Sequence, residues 1–357
     1  EEVARLVGYD EIPTALPQAP AGRGLTAVQR QRRDLARALA EQGWVQVLSS
    51  PFVGAGSFDA QGIPGDDPRR LVLRLSNPLQ EEAPYMRTCL LDSLLETARL
   101  NVARANPAVG VFETGLVTRP EGIRPAPPAR VGRRPSDAEL DGLAAALAAQ
   151  PLHVAGVACG PMAPVDYGFA PPAWDWRDAV EAVETAARTV GARTTRRAAE
   201  RAPWHPGRCA QIFAEGAAIG WAGELAPAVC AAFDLPARSV AFEFDADALC
   251  AAARPGGFDV RPVLTPPAAK EDIALVVDAD VTAGELEDVV REAAGPLLED
   301  LRLFDVYTGE QVAEGRKSLA FALRLRGEAT LTAEETARVR KRVLKAARKA
   351  FGAELRA

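Results

Sequence analysis

Residues 316–326 read RKSLAFALRLR. Leu319, Phe321, Leu323 and Leu325 alternate with Ser318, Ala320, Ala322, Arg324 and Arg326. Successive side chains of a strand point to opposite faces, so this period of two predicts one apolar face and one small, basic face. The flanking segments say which sheet the strand joins. EDIALVVDA (271–279) reads as a strand and TAGELEDVVREAA (282–294) as a helix opened by the capping box Thr282-x-x-Glu285. LEDLRLFDVYTG (298–309) is the strand before the quoted one. TAEETARVRKRVLKAARKAF (332–351) is a second boxed helix, opened by Thr332 and Glu335, and AELR (353–356) is a short last strand. The order β-α-β-β-α-β is the ferredoxin-like split βαβ. Both helices then lie on one face of the sheet, with the leucines and Phe321 beneath them. Arg324 and Arg326 belong on the open face, with Lys317 at its edge.

Open sheet faces often carry charge only for solubility. The last helix shifts the balance toward an anionic partner. Arg338, Arg340, Lys341, Arg342, Lys345, Arg348 and Lys349 crowd it, and its acids stand only at its start. Cations in a last turn favour the helix dipole, but this many exceed that need. A basic strand face and a basic helix predict a surface for RNA phosphates and, through planar guanidinium groups, for unstacked bases.

The rest of the 357-residue chain is long enough for two or three domains. Its 48% hydrophobic and 25% charged content is that of a globular protein. The net charge of −6 gives no general attraction to nucleic acid, so any such contact is local. The sequence shows no membrane-length apolar run and no signal peptide pattern. Five scattered cysteines form no C-x-x-C pair, which fits a reducing compartment, and two histidines exclude a His-rich metal site.

EEVARLVGYDEIP (1–13) reads as the end of a helix, which predicts a fragment of a longer polypeptide. Pro/Gly/Ala-rich residues 14–24 read as a linker. Helices are expected over Thr26–Gln42, Thr88–Ala105 and Asp175–Val190, and one opening at Ser136 with Glu139 as its box. Strands are expected at WVQVLSSPFV (44–53), RRLVLRLSNP (69–78), AVGVFETGLVT (108–118), LHVAGVACG (152–160), CAQIFAEG (209–216), AAIGWAGEL (217–225) and SVAFEFDA (239–246). Residues 119–135 read as a loop and 251–268 as a second linker. Few strands alternate one-for-one with helices, so the fold class is α+β with a largely antiparallel sheet.

The quoted region resembles a known family. Phe304, Asp305, Tyr307 and Gly309, then Gly315, Lys317 and Ser318, then Thr330, Leu331 and Thr332 follow the ordered pattern of the anticodon-binding, ferredoxin-like domain of bacterial phenylalanyl-tRNA synthetase beta subunits. LSNPLQEEAPYMRTCLLDSLL, VFETG, WHPGRCAQI and IGWAGELAPAV resemble earlier segments of that family, although Ala226 stands where a His is usual. The resemblance covers the whole chain. It implies residues 1–20 as the end of a preceding metal-binding domain, 21–255 as a class II synthetase-like, non-catalytic core, and 263–357 as the anticodon-binding domain.

It implies further that the chain serves ATP- and Mg²⁺-dependent attachment of phenylalanine to its tRNA, in the cytoplasm, with a catalytic alpha subunit in an alpha2beta2 assembly. No membrane or DNA contact is implied. Glu1 and Glu2 match a family glutamate pair that binds Mg²⁺ together with upstream aspartates, and such hard oxygen ligands suit that ion. Catalysis of this kind needs cations on a triphosphate. In FEFDADALC (242–250), Glu243 and Asp245 stand where catalytic relatives have glycines, and Ala248 where they have an arginine. Arg87, Arg104 and Glu113 read as structural ion-pairing groups, and His205 and Cys209 as structural too. The competing readings are a free-standing RNA-binding or regulatory paralogue and a small-molecule sensor fused to an inactive core.

Overall fold

The computed structural model describes residues 1–18, 22, 24–123, 132–253, 263–309 and 311–356. Parts of the expected loop at 119–135 and of both expected linkers lie outside the described residues.

The first region carries α1 (Glu2–Val7), α2 (Ala27–Glu41), β1 (Val45–Gln46), β2 (Phe52–Val53), α3 (Gly56–Ala60), β3 (Tyr85–Met86), α4 (Leu91–Ala103), β4 (Val109–Leu116), α5 (Asp137–Ala145) and β5 (Leu152–Cys159). It continues with α6 (Trp176–Thr189), β6 (Thr194–Ala198), β7 (Trp204–Ala214), β8 (Ala217–Leu225), α7 (Pro227–Ala232), β9 (Val240–Asp245) and α8 (Ala246–Ala251). Local chemistry starts the helices where expected. Thr26 and Ser136 form capping boxes with Gln29 and Glu139, and Asp175 caps α6.

A seven-stranded sheet runs β1-β4-β5-β9-β8-β7-β6. It is antiparallel except where β1 pairs parallel with β4. Helices α2, α6 and α8 cover one face over Phe112, Val154, Ile212, Phe242 and Phe244. Trp44 fills that layer, 4.7 Å from Trp174 and edge-on to Phe242 at 5.0 Å. Gly156 makes room for them, because a Cβ there would stand 2.5 Å from the Phe242 ring. Helices α4 and α7 cover the other face over Val111, Ala155, Val157, Ala241 and Leu225. Each fully buried Leu or Phe of these layers contributes about 1.5–3 kcal/mol.

Two expected strands differ. Residues 44–53 split into β1 and β2, which belong to different sheets. Residues 69–78 form no strand. Their alternating leucines are not covered, Leu71 being 52% exposed, and the segment is tied to 84–86 by two backbone hydrogen bonds and a single bridge at Arg74. Strand β6, TTRRA, lacks an apolar alternation because it is an exposed edge.

The second region carries β10 (Ala269–Asp278), α9 (Ala283–Ala294), β11 (Leu298–Tyr307), β12 (Arg316–Leu325), α10 (Ala333–Phe351) and β13 (Glu354–Leu355). Its sheet order β11-β12-β10-β13 is the ferredoxin-like one. Leu319, Phe321, Leu323 and Leu325 are buried against Leu286 and Val290 of α9 and Val339, Val343 and Ala347 of α10. The opposite face is less open than the alternation predicts. Ser318 and Ala320 are also buried, at 2% and 8% exposed. Tyr307 stands across from Ser318, and the Arg356 guanidinium stacks 4.2 Å from the Tyr307 ring.

Candidate functional site

The sheet face beneath α4 carries a row of buried charged groups. Glu113, Ala155, Glu243 and Trp221 stand in one row across β4, β5, β9 and β8. Every charged member has a structural partner. Arg87 reaches Glu113 at 2.8 Å with both side chains buried, and its Nε donates to the Leu116 carbonyl. Gly115 admits this guanidinium, since a Cβ there would lie 2.2 Å from Arg87 Nη2. The contact is an ion pair rather than an aligned hydrogen bond. Arg87 Nη1 and both Glu113 oxygens keep unused bonding capacity.

Glu243 accepts from the amides of Leu90 (3.1 Å) and Leu91 (3.3 Å) and faces His153 Nδ1 at 2.8 Å. A carboxylate at the first amides of α4 completes the helix N-terminus. Burial opposes ionisation of Glu243, but the bonds from His153 and those amides outweigh it and hold the carboxyl below its usual range. Asp245 caps α8 through the Ala248 amide at 2.8 Å. Glu243 and Asp245 are therefore helix caps. Leu90, Leu91, Leu94 and Leu95 fill the space above the row.

The neighbouring charges are equally engaged. Arg69 is buried, chelates Asp67 with two nitrogens at 2.9 and 2.8 Å, and donates to the Ala202 carbonyl. That guanidinium holds Asp67 down at about 2. Arg201 stacks 4.0 Å from the Trp221 ring. Asp92 takes bonds from Ser57, Gln61 and Cys89, yet burial pushes its carboxyl up. A cleft of about 540 Å³ beside α4 is lined by Ser49, Phe52, Ser57, Asp92, Glu96 and Phe233, among others. Its charges are acidic, which suits no triphosphate. Arg104 is exposed at the end of α4, His205 Nδ1 accepts from the Gly207 amide, and burial pushes the Cys209 thiol up to about 11.

At the N-terminus, Glu1 precedes α1 and the Glu2 carboxylate is held by Arg5 at 2.8 Å. Among the described residues no third His, Cys, Asp or Glu joins them as a metal-binding group. Two carboxylates, one already paired, do not by themselves fit an ion that demands near-octahedral coordination.

The basic residues divide into two groups. On the open sheet face, Glu299 bridges Arg324 and Arg326. The Arg326 side chain is only 13% exposed and also donates to the carbonyls of Leu264 and Pro266. Arg324 is about half exposed, with Lys270 beside it on β10 and Asp300 on β11. Lys317, expected at the edge of this face, is not part of it: it has the parity of Leu319 and Phe321, pairs with the buried Val277 on the helix side, and donates to the Ala279 carbonyl at 2.8 Å. The face is thus mixed in charge, with Arg302 and three acids (Asp272, Asp300 and Asp305) in the same layer.

Arg338, Lys341 and Lys345 belong to α10, on the opposite side of the sheet, and all three are exposed. The expected single basic surface is two surfaces, because strand parity sends Arg324 away from the helices. Sequence reading passed over Lys270 and Tyr307 as surface residues. Strand register, which pairs them with Arg324 and Ser318, would have found both.

The family comparisons agree with this architecture. The model described as the phenylalanyl tRNA synthetase beta chain CLM domain matches residues 12–246. The one described as the ferredoxin-fold anticodon binding domain matches residues 265–356. The two define a chain of the aminoacyl-tRNA synthetase class. The phenylalanine–tRNA ligase beta subunit of Cutibacterium acnes is 45% identical over 357 residues, covering 100% of this chain and 42% of that protein. Those of Thermobifida fusca and Streptomyces avermitilis are 47% and 46% identical, each covering 100% of this chain and 43% of theirs. The chain belongs to the phenylalanine–tRNA ligase beta subunit family, and it spans about two fifths of the length of these relatives. No helix among the described residues is long and apolar enough to cross a membrane.

Proposed function

We propose that this chain is the non-catalytic, tRNA-holding part of a phenylalanine–tRNA ligase. It supports ATP-dependent attachment of phenylalanine to tRNA by scaffolding a catalytic alpha subunit, in the cytoplasm and in an alpha2beta2 assembly. The observation that carries the reading is the engaged sheet face. Glu243 and Asp245 cap helices where catalytic relatives have glycines, and α4 fills the space a nucleotide would need. ATP and Mg²⁺ then act on the partner. Glu1 and Glu2 join a Mg²⁺ site only with carboxylates from outside this sequence.

The domain at 263–357 takes the anticodon region, with the core at 21–255 as the platform and residues 1–20 as the end of the preceding domain. Arg324 serves the open face, Lys317 adds a cation at the helix-side end of β12, Arg326 holds Glu299 and the 264–266 backbone in place, and Arg338, Lys341 and Lys345 add phosphate contacts. ATP–pyrophosphate exchange with phenylalanine tests the reading. The isolated chain gives background exchange and the chain with its alpha partner gives activity. Exchange by the chain alone refutes it.

A further inference from the structure

Helix α10 carries a stripe that the open-face site cannot use. At 3.6 residues per turn, Arg338, Lys341, Lys345, Arg348 and Lys349 fall on one side, opposite Val339, Val343 and Ala347, which face the core. All five are exposed. Lys341, Lys345, Arg348 and Lys349 have no ion pair or hydrogen bond among the described residues, and Arg338 makes only a 3.4 Å bond to the Glu334 carbonyl. Arg342, next to the stripe, is spent otherwise. It donates to the carbonyls of Ala293 and Ala294 at the end of α9.

The stripe runs for about 16 Å, with cations about 4.5–6 Å apart along the axis from Arg338 to Arg348 and Lys349 one residue on. A helix whose outer side carries cations this densely, with acids only in its first turn, repels itself, and a polyanion relieves that repulsion. The neighbouring α9 is the reverse, with Glu285, Glu287, Asp288 and Glu292 against Arg291. An anionic chain must therefore lie along α10 and not across the pair. The sheet and the helix layer stand between the stripe and Arg324, and a helix with its side chains is about 10–12 Å thick. A loop seated on the open face stays on its own side.

We propose that the outward stripe of α10 docks the phosphate backbone of a second RNA segment, independently of its sequence and separately from the segment bound at the open face. The inference rests on the tRNA-binding reading and extends it. With no aromatic or amide side chain among its cations, and only the exposed Arg338 and Arg348 able to meet a base, the stripe is built to hold a backbone rather than to read a sequence.

The test uses the full chain, a 20-base-pair RNA duplex of arbitrary sequence as the probe, and anisotropy titrations at several salt concentrations. Quadruple substitution Arg338→Gln, Lys341→Gln, Lys345→Gln, Arg348→Gln keeps good helix formers at exposed positions, and circular dichroism checks the fold. The log–log salt slope for the duplex falls by roughly 3–4, taking for four lost phosphate contacts the value of about 0.9 each known for a B-form duplex. Cognate and anticodon-swapped tRNA weaken by the same factor, so their ratio is kept. The all-arginine variant Lys341→Arg, Lys345→Arg, Lys349→Arg, which keeps every charge, keeps the parent slope. An unchanged slope in the folded quadruple variant overturns the proposal. So does competition by poly-glutamate as effective as that of the duplex, which makes the stripe a site for acidic protein. Loss of the stripe effect with a cognate preference still sensitive to Arg324→Gln counts against this inference alone. A stripe effect without any cognate preference counts against the anticodon reading alone.

Discussion

Substituting Glu243→Ala removes one carboxylate and strands three donors. The Leu90 and Leu91 amides and, in the tautomer that donates, His153 Nδ1 all point at it. A buried donor left without a partner costs about 1–3 kcal/mol. Breaking a buried charged contact by deleting one partner costs about 3–5 kcal/mol in all. The expected loss for Glu243→Ala is therefore about 3–5 kcal/mol. Glu243→Gln keeps one acceptor and the side-chain volume, so about 1–3 kcal/mol is expected.

The pH dependence has a definite sign. The folded carboxyl sits below its ordinary value of 4.5, so its contribution is complete above that value and is lost as pH falls through the lower folded one. Urea unfolding followed by tryptophan fluorescence reads this directly, since Trp221 stands across from Glu243 and the Trp204 indole donates to the Ala241 carbonyl next to β9's centre. The parent weakens between mildly acidic and strongly acidic pH, and Glu243→Gln loses that part of the acid limb. Neither variant gains ATP binding, because α4 still fills the space. A Glu243→Ala loss under about 1 kcal/mol, or a variant that binds ATP, refutes the view of Glu243 as a cap.

Other outcomes follow from the same geometry. Gly156→Ala forces a methyl against the Phe242 and Trp44 rings and costs about 1–3 kcal/mol by urea unfolding. Asp67→Asn weakens the fold at neutral pH, and the parent's advantage shrinks as pH drops from 3.8 toward the folded value of about 2. Asp92→Asn acts with the opposite sign. The buried carboxyl titrates high, so its proton is favoured in the fold and stability is lost as pH rises through the raised value; the asparagine variant gains relative to the parent as pH rises, read in the same melts. Arg326→Ala, which frees Glu299 and the carbonyls of Leu264 and Pro266, speeds amide exchange at 264–268 more than Arg324→Ala does, by exchange mass spectrometry.

Much of the anticodon-binding region was legible because its signals are local. The alternation at 316–326, the capping boxes at Thr282 and Thr332 and the order of elements each need only neighbours in sequence. The same parity rule also separates Arg324 from α10, so the split of the basic surface was implicit in the pattern. The unread parts depend on distant partners. Glu243 reaches across 153 positions to Leu90, and Arg326 across 60 to Pro266. Nothing in FEFDADALC announces that its acids end as helix caps. Leu71 and Leu73 alternate like a strand but meet no covering layer, so periodicity without burial misled. On the proposed reading, the core's unsuitability for a nucleotide is thus not a matter of Ala248 alone. Glu113 and Glu243 on the face are engaged by Arg87, His153 and the α4 amides, and changing a single residue leaves the leucines of α4 filling the space as before.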